Sequence, residues 1–333
     1  MQETKKIAVV LAGAFSKGGF EAGALAELVK YPVDIRSIVA TSSGALNGTV
    51  LAAALHGARD QRALERELDG LCSTWSQTRG GQVFRVSPGD ILGARGISDQ
   101  SGLLKLLRDS VKVRERAGGR SPFNLTIVAA PLAGVATPEG FTFEWQGRFD
   151  NGSFTTKEAL ERVFQAAAAS ASFPGAFAPS HVEGVGPCID GGAVNNTPIK
   201  YALEGCDADT VVLVTSTPSG CALGEEAASR LGGVSLISRL AEILVNERLY
   251  RDLREAQQVN AAIAAMEADP SLAPHLPRIL DCLGWAGRRR LTLRCIRPEV
   301  EMPGDFLSSA FDRELRARHV AEGRKRAREV LGS

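Results

Sequence analysis

Short runs of β-branched and other apolar residues alternate along this chain with longer segments in which apolar residues recur at helical spacing. The apolar runs predict strands at residues 7–11, 35–39, 124–130 and 210–214, and an alternating run predicts a paired strand at 141–145. The helical segments predict one helix through Leu28 and others at residues 45–55, 62–75, 101–111 and 156–169. Because strands that alternate with helices form parallel sheets with covered faces, we expect an α/β fold with a mostly parallel sheet.

Helical periodicity dominates the last third of the chain. It predicts a helix at residues 234–266, and a strand-like run follows at 291–296. Residues 306–331 predict an amphipathic helix with a basic end, which is either a solvated face that closes the domain or a contact with anionic lipid headgroups. Acidic residues lie among the basic ones and weaken the headgroup interpretation: Glu314, Glu322 and Glu329.

Ser42 lies in a short turn between a predicted strand and a predicted helix. Its spacing from Ala40 and Gly44 is close to the G-x-S-x-G nucleophile elbow, with Ala40 in place of the first glycine. Such a turn projects the serine hydroxyl and directs the following amides and the helix N-terminus toward it. A turn whose serines merely cap the helix is the alternative interpretation.

A glycine-rich loop at residues 12–23 joins the first predicted strand to the next helix. Loops of this kind gather backbone N–H groups around one point, which can hold a phosphate or an oxyanion. Two nucleotide-binding patterns fail on specific residues. Phe15 occupies the second glycine of G-x-G-x-x-G, and Gly19 follows Gly18 where a P-loop has lysine.

Asp190 follows an apolar residue and precedes two glycines, Gly191 and Gly192. This pattern predicts a tight turn with an open backbone, in which the carboxylate can face a cleft. The alternative is an ordinary Asp-Gly turn between strands, which is common.

Taken in this order, the three motifs resemble the patatin-like phospholipase family, which has a glycine-rich oxyanion loop, a G-x-S-x-G elbow and an Asp-Gly-Gly or Asp-Gly-Ala motif. The flanking residues 44–47 and 194–198 also look like those of the family, and the resemblance covers roughly residues 6–218. It implies a three-layer α/β/α fold, with a catalytic domain at residues 1–225 and a mostly helical region at 226–333 packed on it.

The same resemblance implies that Ser42 is the nucleophile and Asp190 its partner in a dyad without histidine. An aspartate in that place accepts the serine proton during attack and returns it to the leaving alkoxide. None of the four histidines lies in a motif; they are His56, His181, His275 and His319. We expect His181 on a surface or loop, and His319 in an exposed helix among arginines.

The resemblance aligns the oxyanion loop with Gly13, Ala14, Phe15, Lys17 and Gly18. Lys17 stands where the family has Arg or Lys, whereas Ala14 and Phe15 replace two glycines. Backbone amides are the donors, so side chains do not remove them, but Ala and especially Phe resist the positive φ angles that glycine adopts. Phe15 could therefore disturb the oxyanion loop, or it could narrow or gate the acyl site.

Composition is that of a soluble globular enzyme. The chain has 333 residues, 44% of them hydrophobic, and its net charge of +1 gives no general attraction to nucleic acid or to an anionic membrane. The six cysteines form no C-x-x-C pair and predict free thiols in a reducing compartment. No signal peptide and no transmembrane helix are expected, so we predict a cytoplasmic protein that can act peripherally at a membrane.

These observations predict a serine acyl-ester hydrolase that acts on lipids, of the phospholipase A or lysophospholipase kind, without metal or cofactor. One alternative is an acyltransferase of related fold, which would normally pair the serine with a histidine. The other is a catalytically weak protein that binds lipid or a protein partner, as the departures at Ala14, Phe15 and Ala40 would allow. Residues 78–121 are the candidate lid. The sequence leaves the oligomeric state open.

Overall fold

The computed structural model describes residues 4–84, 98–138, 140–202, 204, 206–219, 224–230, 232–285, 287–304 and 312–332. The strands are β1 (Lys5–Leu11), β2 (Val33–Thr41), β3 (Asn124–Pro131), β4 (Val135–Thr137), β5 (Gly140–Thr142), β6 (Trp145–Asp150), β7 (Ser180–Val182), β8 (Gly186–Asp190), β9 (Thr210–Val214) and β10 (Thr292–Ile296). The α-helices are α1 (Gly18–Leu28), α2 (Ser43–Gly57), α3 (Gln61–Gln77), α4 (Gly80–Val83), α5 (Ser101–Ser110), α6 (Lys157–Ser170), α7 (Glu225–Ser229), α8 (Gly233–Ala268), α9 (Leu276–Cys282) and α10 (Arg313–Leu331).

The main sheet has the strand order β10-β9-β1-β2-β3-β8-β7, and β6 also pairs with β3. Neighbouring strands from β10 to β3 are parallel, whereas β6, β7 and β8 pair in the antiparallel sense. The expected mostly parallel sheet is therefore confirmed, with an antiparallel edge beyond β3.

The two faces of the sheet carry separate apolar cores. Along β1, Ile7, Val9 and Leu11 belong to the cluster on one face, and Ala8 and Val10 belong to the cluster on the other, as the period of two in a strand requires. Helices α1, α2, α3, α6 and α10 contribute to the first cluster, and α8 contributes to the second. These three layers confirm the expected α/β/α fold.

The chain beyond residue 225 adds to both the sheet and a helical layer. Strand β10 lies parallel to β9 in a register that pairs Thr292 with Thr210, and α10 crosses α1. The division into domains at residue 225 stays a prediction. None of the described helices combines the length and the apolarity that crossing a bilayer requires.

Two predicted elements differ from the structure. The single strand expected at residues 141–145 is instead the end of β5 and the start of β6, with a break at Glu144. Glu144 accepts hydrogen bonds from Asn195 Nδ2 (3.0 Å) and Tyr201 Oη (2.5 Å), so its side chain is fixed to a distant part of the chain. The predicted helix at 306–331 begins at Arg313, where Asp312 caps it; residues 305–311 lie outside the described ranges.

His319 was expected to be exposed, and this expectation is wrong. Its side chain is 1% exposed, and its Nε2 lies 2.9 Å from the carbonyl oxygen of Pro303. The buried residues of α10 recur at helical spacing and form the face that packs on the domain: Arg316, His319, Val320, Gly323 and Ala327.

Several basic residues of α10 are engaged by carboxylates of the protein. Arg324 pairs with Asp69, Arg328 pairs with Glu27, and Arg326 pairs with Glu299 and Glu329. These ion pairs occupy cations that an anionic headgroup would need. The structure therefore favours the interpretation in which this helix closes the domain.

A close crossing of α1 and α10 depends on two glycines. A Cβ atom added at Gly323 would lie 1.9 Å from the carbonyl oxygen of Phe20, and one added at Gly23 would lie 2.1 Å from the carbonyl oxygen of Val320. The two helices therefore pack backbone against backbone, which no side chain larger than glycine permits at these positions.

We predict that Gly323→Ala lowers the free energy of unfolding by about 1–3 kcal/mol, because the added methyl group forces the two helices apart. Gly70→Ala is the matched control. Gly70 is exposed within α3 with no atom within 4 Å of an added Cβ, so alanine there should stabilise the helix by about 0.5–1 kcal/mol. Urea denaturation of both variants measures the difference. Equal midpoints would mean that the crossing is not tightly packed.

Candidate active site

The three motifs meet at the carboxyl edge of the parallel strands. The glycine-rich loop follows the end of β1 at Leu11, and the elbow follows the end of β2 at Thr41. Asp190 ends β8 opposite Ala129, which lies close to the carboxyl end of β3. Open α/β sheets commonly bind their ligands at this edge, because loops from several strands converge there.

Ser42 occupies a strained turn between β2 and α2. Its φ of 57° and ψ of −129° place a residue other than glycine in a sparsely populated region, as expected for a nucleophile elbow. The turn is fixed by a buried serine: Ser42 N–H donates to Ser170 Oγ (2.8 Å), and Ser170 Oγ donates to the carbonyl oxygen of Val128 (2.5 Å). Surrounding contacts thus hold the turn in its unusual conformation.

The glycine positions of the elbow reflect how closely α2 approaches the sheet. A Cβ atom at Gly44 would lie 2.5 Å from the carbonyl oxygen of Leu11, so this position requires glycine. The methyl group of Ala40 is accommodated because it faces Gly48 of α2, where an added Cβ would lie 3.2 Å from it. The alanine that departs from the G-x-S-x-G pattern is therefore compensated by a glycine in the next helix.

The structure brings the predicted pair Ser42 and Asp190 into direct contact. Ser42 Oγ donates to Asp190 Oδ2 at 2.5 Å, and Gly192 N–H donates to Asp190 Oδ1 at 2.7 Å. A Cβ atom at Gly191 would lie 2.1 Å from the carbonyl oxygen of Val128, so glycine lets this turn pack directly on β3. The Asp-Gly-Gly motif thus sets both the backbone path and one hydrogen bond of the carboxylate.

The environment of Asp190 favours its protonated form. The side chain is only 3% exposed, and burial raises its pKa to about 7 against the opposing effect of the hydrogen bonds from Ser42 and Gly192. A carboxyl group with this pKa exchanges its proton near neutral pH. That property is suited to a general base and is common at catalytic sites.

The predicted oxyanion loop lies directly against Ser42. A Cβ atom at Gly13 would lie 2.9 Å from Ser42 Cβ and 2.2 Å from Asn196 Oδ1. Two of its amides already donate within the protein: Gly13 N–H to the carbonyl oxygen of Asn196 (3.2 Å) and Ala14 N–H to Ser43 Oγ (3.0 Å). An oxyanion at Ser42 would have to compete with these acceptors.

The two substitutions for glycine in this loop differ in conformation. Ala14 has a φ of −128°, which any residue adopts, whereas Phe15 has a φ of 49°, which is unfavourable for a bulky side chain. The Phe15 ring packs edge-on against Phe173, with ring centroids 4.8 Å apart. Of these two residues, only Phe15 therefore has the backbone strain that is expected when a larger residue replaces a glycine.

The end of the loop leads directly into α1. Lys17 N–H donates to the carbonyl oxygen of Ala14 at 2.9 Å, in the short turn that precedes the helix. Gly18 is required for a close approach, since an added Cβ would lie 2.5 Å from the ring of Trp75.

Asn47 is a site residue to which the sequence analysis gave no role. It lies one turn into α2, where its Nδ2 donates to the carbonyl oxygen of Gly18 (3.0 Å) and to Glu21 Oε2 (2.8 Å). Its Oδ1 accepts from Trp75 Nε1 at 2.7 Å. Burial raises the pKa of Glu21 well above its usual range, against the opposing effect of the hydrogen bond from Asn47. The signal that could have found Asn47 is the one amide side chain in the mostly apolar helix after the elbow.

Ser42 and Asp190 line an apolar cavity. Its volume is about 160 Å³, room for on the order of ten water-sized groups. The wall is formed mainly by apolar side chains from α2, α3 and α5 and by aromatic rings: Leu46, Val50, Leu71, Trp75, Phe84, Leu103, Leu107, Phe173 and Phe177. Arg316 of α10 also lines it and donates through Nε to the carbonyl oxygen of Trp75 (2.8 Å).

The candidate lid at residues 78–121 is described at 78–84 and 98–121. Its first part contains the short helix α4, and its second part contains α5. Side chains of both parts, such as Val83 and Leu106, line the cavity. A lid movement of this segment stays a prediction.

The four histidines either bond to backbone carbonyl groups away from Ser42 or lie at exposed positions. His56 is buried, with its Nε2 3.0 Å from the carbonyl oxygen of Arg114. His181 lies on an exposed position of β7, as expected, and His275 is exposed before α9. His319 is held by the carbonyl oxygen of Pro303. The hydrogen-bond partner of Ser42 Oγ is the carboxyl group of Asp190.

Comparisons with known proteins show to which family the chain belongs. The family model described as patatin-like phospholipase matches residues 9–203. One similar solved structure is the crystal structure of VipD from Legionella pneumophila, with 13% sequence identity and a TM-score of 0.40, covering 99% of this chain and 67% of that chain. No curated protein sequence matches the chain. Because the family model spans more than half of the chain, this protein belongs to the patatin-like phospholipase family.

Proposed function

We propose that this protein is a serine acyl hydrolase that cleaves carboxylic esters of lipids, in the manner of a phospholipase A or lysophospholipase. The observation that carries the proposal is the hydrogen bond of 2.5 Å from Ser42 Oγ to Asp190 Oδ2 in the wall of an apolar cavity. Membership of the patatin-like family supports lipid acyl hydrolysis in general.

In the proposed first half-reaction, Ser42 Oγ attacks the ester carbonyl carbon while its proton passes to Asp190. The tetrahedral intermediate then expels the alcohol oxygen, which takes the proton back from Asp190, and an acyl-enzyme remains on Ser42. Burial of Asp190 makes its carboxylate a stronger base than a solvated one, which compensates in part for the absence of an imidazole at the serine.

In the second half-reaction, water attacks the acyl-enzyme and Asp190 accepts its proton. Collapse of the intermediate returns that proton to Ser42 Oγ and releases the fatty acid. Ala14 N–H is a candidate oxyanion donor on the loop, provided that the Ser43 hydroxyl rotates away from it.

The composition of the cavity wall favours a lipid acyl chain as the part of the substrate that binds there. Most of this wall is apolar, so burying the methylene groups of an acyl chain there gains hydrophobic free energy. The described cysteines are free thiols, which is compatible with the proposed cytoplasmic location: Cys72, Cys188, Cys206, Cys282 and Cys295.

A second candidate function is lipid binding with little turnover. It is favoured by the engagement of Gly13 N–H and Ala14 N–H within the protein, because loss of oxyanion donors lowers the rate by roughly 10²–10³. The contact between Ser42 and Asp190 favours the hydrolase.

We predict that a fluorophosphonate probe labels the wild-type protein, that Ser42→Ala abolishes labelling, and that Asp190→Asn slows it by roughly 10²–10⁴, the range attributed to general-base catalysis. Ser73→Ala is the matched control, because Ser73 is exposed on α3 and its hydroxyl donates to the carbonyl oxygen of Asp69, away from Ser42. Gel fluorescence over time measures the rates. Labelling that persists in Ser42→Ala would contradict the assigned nucleophile, and an unlabelled wild type would favour the binding function.

The rate should depend on pH through Asp190. Its ionised form is the base and its pKa is raised to about 7, so kcat/KM for a soluble ester should fall about tenfold per pH unit below pH 7 and level off above it. Residual turnover by Asp190→Asn should lack this acidic limb. A wild-type profile that is flat down to pH 5 would exclude Asp190 as a base with a raised pKa.

Phe15 should limit the acyl chains that the cavity accepts. We predict that Phe15→Ala and Phe15→Gly both raise the ratio of kcat/KM for long-chain over short-chain esters by roughly tenfold, the scale on which pocket contacts discriminate substrates.

The same two variants test the backbone strain at position 15. At a φ of 49° glycine is unstrained and alanine is not, so Phe15→Gly should be more stable than Phe15→Ala by about 1 kcal/mol. An unchanged chain-length ratio in both variants would contradict the gating role, and equal stability would contradict the strain.

A further inference from the structure

Two buried asparagines hold the two ends of the glycine-rich loop that joins β1 to α1. Asn196 bonds to Gly13 near the start of the loop, and Asn47 bonds to Gly18, where α1 begins. Asn196 is 2% exposed and Asn47 is 0% exposed, so water does not compete for these bonds. We call Asn47 and Asn196 the loop clamps.

The clamp near the start of the loop consists of two hydrogen bonds with one residue. Asn196 Nδ2 donates to the carbonyl oxygen of Gly13 at 3.2 Å, and Gly13 N–H donates to the carbonyl oxygen of Asn196 at 3.2 Å. In the same segment, the carbonyl oxygen of Asn195 accepts from Thr41 Oγ1 at 3.0 Å, which ties the segment to the end of β2. Asn196 follows soon after Asp190 in the chain, so this end of the loop is bonded to the segment that carries Asp190.

The clamp at the other end of the loop belongs to the segment that carries Ser42. Asn47 lies in the helix α2 that follows Ser42. Its Nδ2 donates to the carbonyl oxygen of Gly18 (3.0 Å) and to Glu21 Oε2 (2.8 Å), and its Oδ1 accepts from Trp75 Nε1 (2.7 Å). Because both amide hydrogens and the amide oxygen are engaged, the side chain is fixed in one orientation.

The span between the loop clamps contains the candidate oxyanion donor and the strained residue of the loop. Ala14 N–H follows Gly13 directly, and Phe15 has a φ of 49°. Such backbone strain persists only where the surrounding structure fixes the chain. The loop clamps supply that constraint, because a buried amide side chain holds the backbone on each side of Ala14 and Phe15.

An asparagine that bonds to the backbone is often only a structural residue, and Asn260 of α8 is an example. Its Nδ2 donates to the carbonyl oxygen of Leu291 (2.7 Å), and its Oδ1 accepts from Leu291 N–H (3.0 Å). Leu291 precedes the amino end of β10, at the opposite edge of the sheet from Ser42. The loop clamps differ from Asn260 because both hold one loop, and each belongs to the segment of a different member of the proposed dyad.

We propose that Asn47 and Asn196 are positioning residues, which hold the glycine-rich loop so that its amides face the oxyanion that forms at Ser42. This inference rests on the proposed function, which supplies the oxyanion. Donors that are fixed in advance stabilise the transition state more than the bound substrate, so loss of a clamp should lower kcat more than it changes KM. A displacement of about 1 Å can cost roughly 10²-fold in rate.

The first experiment measures hydrolysis of a water-soluble ester by Asn47→Leu and Asn196→Leu, with Asn260→Leu as the matched control. Leucine keeps the branched shape of asparagine and removes its hydrogen bonds. Each clamp variant should lower kcat roughly 10–10²-fold and change KM by less than about threefold. Each should also weaken binding of a trifluoromethyl ketone, which forms a tetrahedral oxyanion adduct with serine, by about the same factor as kcat/KM. Asn260→Leu should leave all three quantities unchanged.

Three results would overturn the proposal: wild-type kcat in both clamp variants, lowered kcat with unchanged affinity for the ketone, or an equal loss in Asn260→Leu. If a leucine variant does not fold, the serine variant at the same position replaces it, since the shorter side chain cannot reach the same backbone partner. The expected result is the same.

The second experiment measures amide hydrogen exchange at residues 12–20 by mass spectrometry, without substrate. Exchange there should become at least about tenfold faster in the clamp variants and stay unchanged in Asn260→Leu. Unchanged exchange in both clamp variants would overturn the proposal even if kcat falls. If the wild type hydrolyses no ester and binds no ketone, the proposed function fails by itself, and the exchange result alone then decides whether the two asparagines hold the loop.

Discussion

The site depends on one short hydrogen bond made by a buried carboxylate. Asp190 is almost wholly removed from water, and its donors are the Ser42 hydroxyl and the Gly192 amide. No cation takes part in these two bonds, so desolvation is only partly offset and the pKa rises to about 7. The free-energy cost of burying Asp190 is therefore what would make it a usable base in the proposed reaction, and the rest of the fold holds that arrangement in place.

The fold holds Ser42 and Asp190 in place by packing backbone segments closely against one another. Gly13, Gly44 and Gly191 each sit where a Cβ atom would collide with another strand end or with the neighbouring loop. Because all three lack a side chain, loops from β1, β2 and β8 can converge on one point. Ser42 and Phe15 show the reverse case. Both have side chains and yet adopt positive φ angles, and the surrounding packing holds their strained backbone in place.

Local pattern was enough to predict the parallel sheet and to single out Ser42 and Asp190, since strand periodicity and turn motifs are properties of neighbouring residues. It failed where contacts between distant residues decide the outcome. The break at Glu144 is set by Asn195 and Tyr201, and the engagement of Ala14 N–H is set by the Ser43 hydroxyl. The burial of His319 likewise depends on which face of α10 meets α1, which its surrounding arginines conceal.

The crossing of α1 and α10 joins an early helix of the chain to a late one, which has a consequence during biosynthesis. Helix α1 continues directly from the glycine-rich loop, but the helix that packs on it includes Gly323 and emerges from the ribosome long after Asp190. The nascent chain thus carries Ser42 and Asp190 before the support for α1 exists. Closure of this crossing is therefore a late step in biosynthesis, because α1 can pack on its partner only after the chain has been made through Gly323.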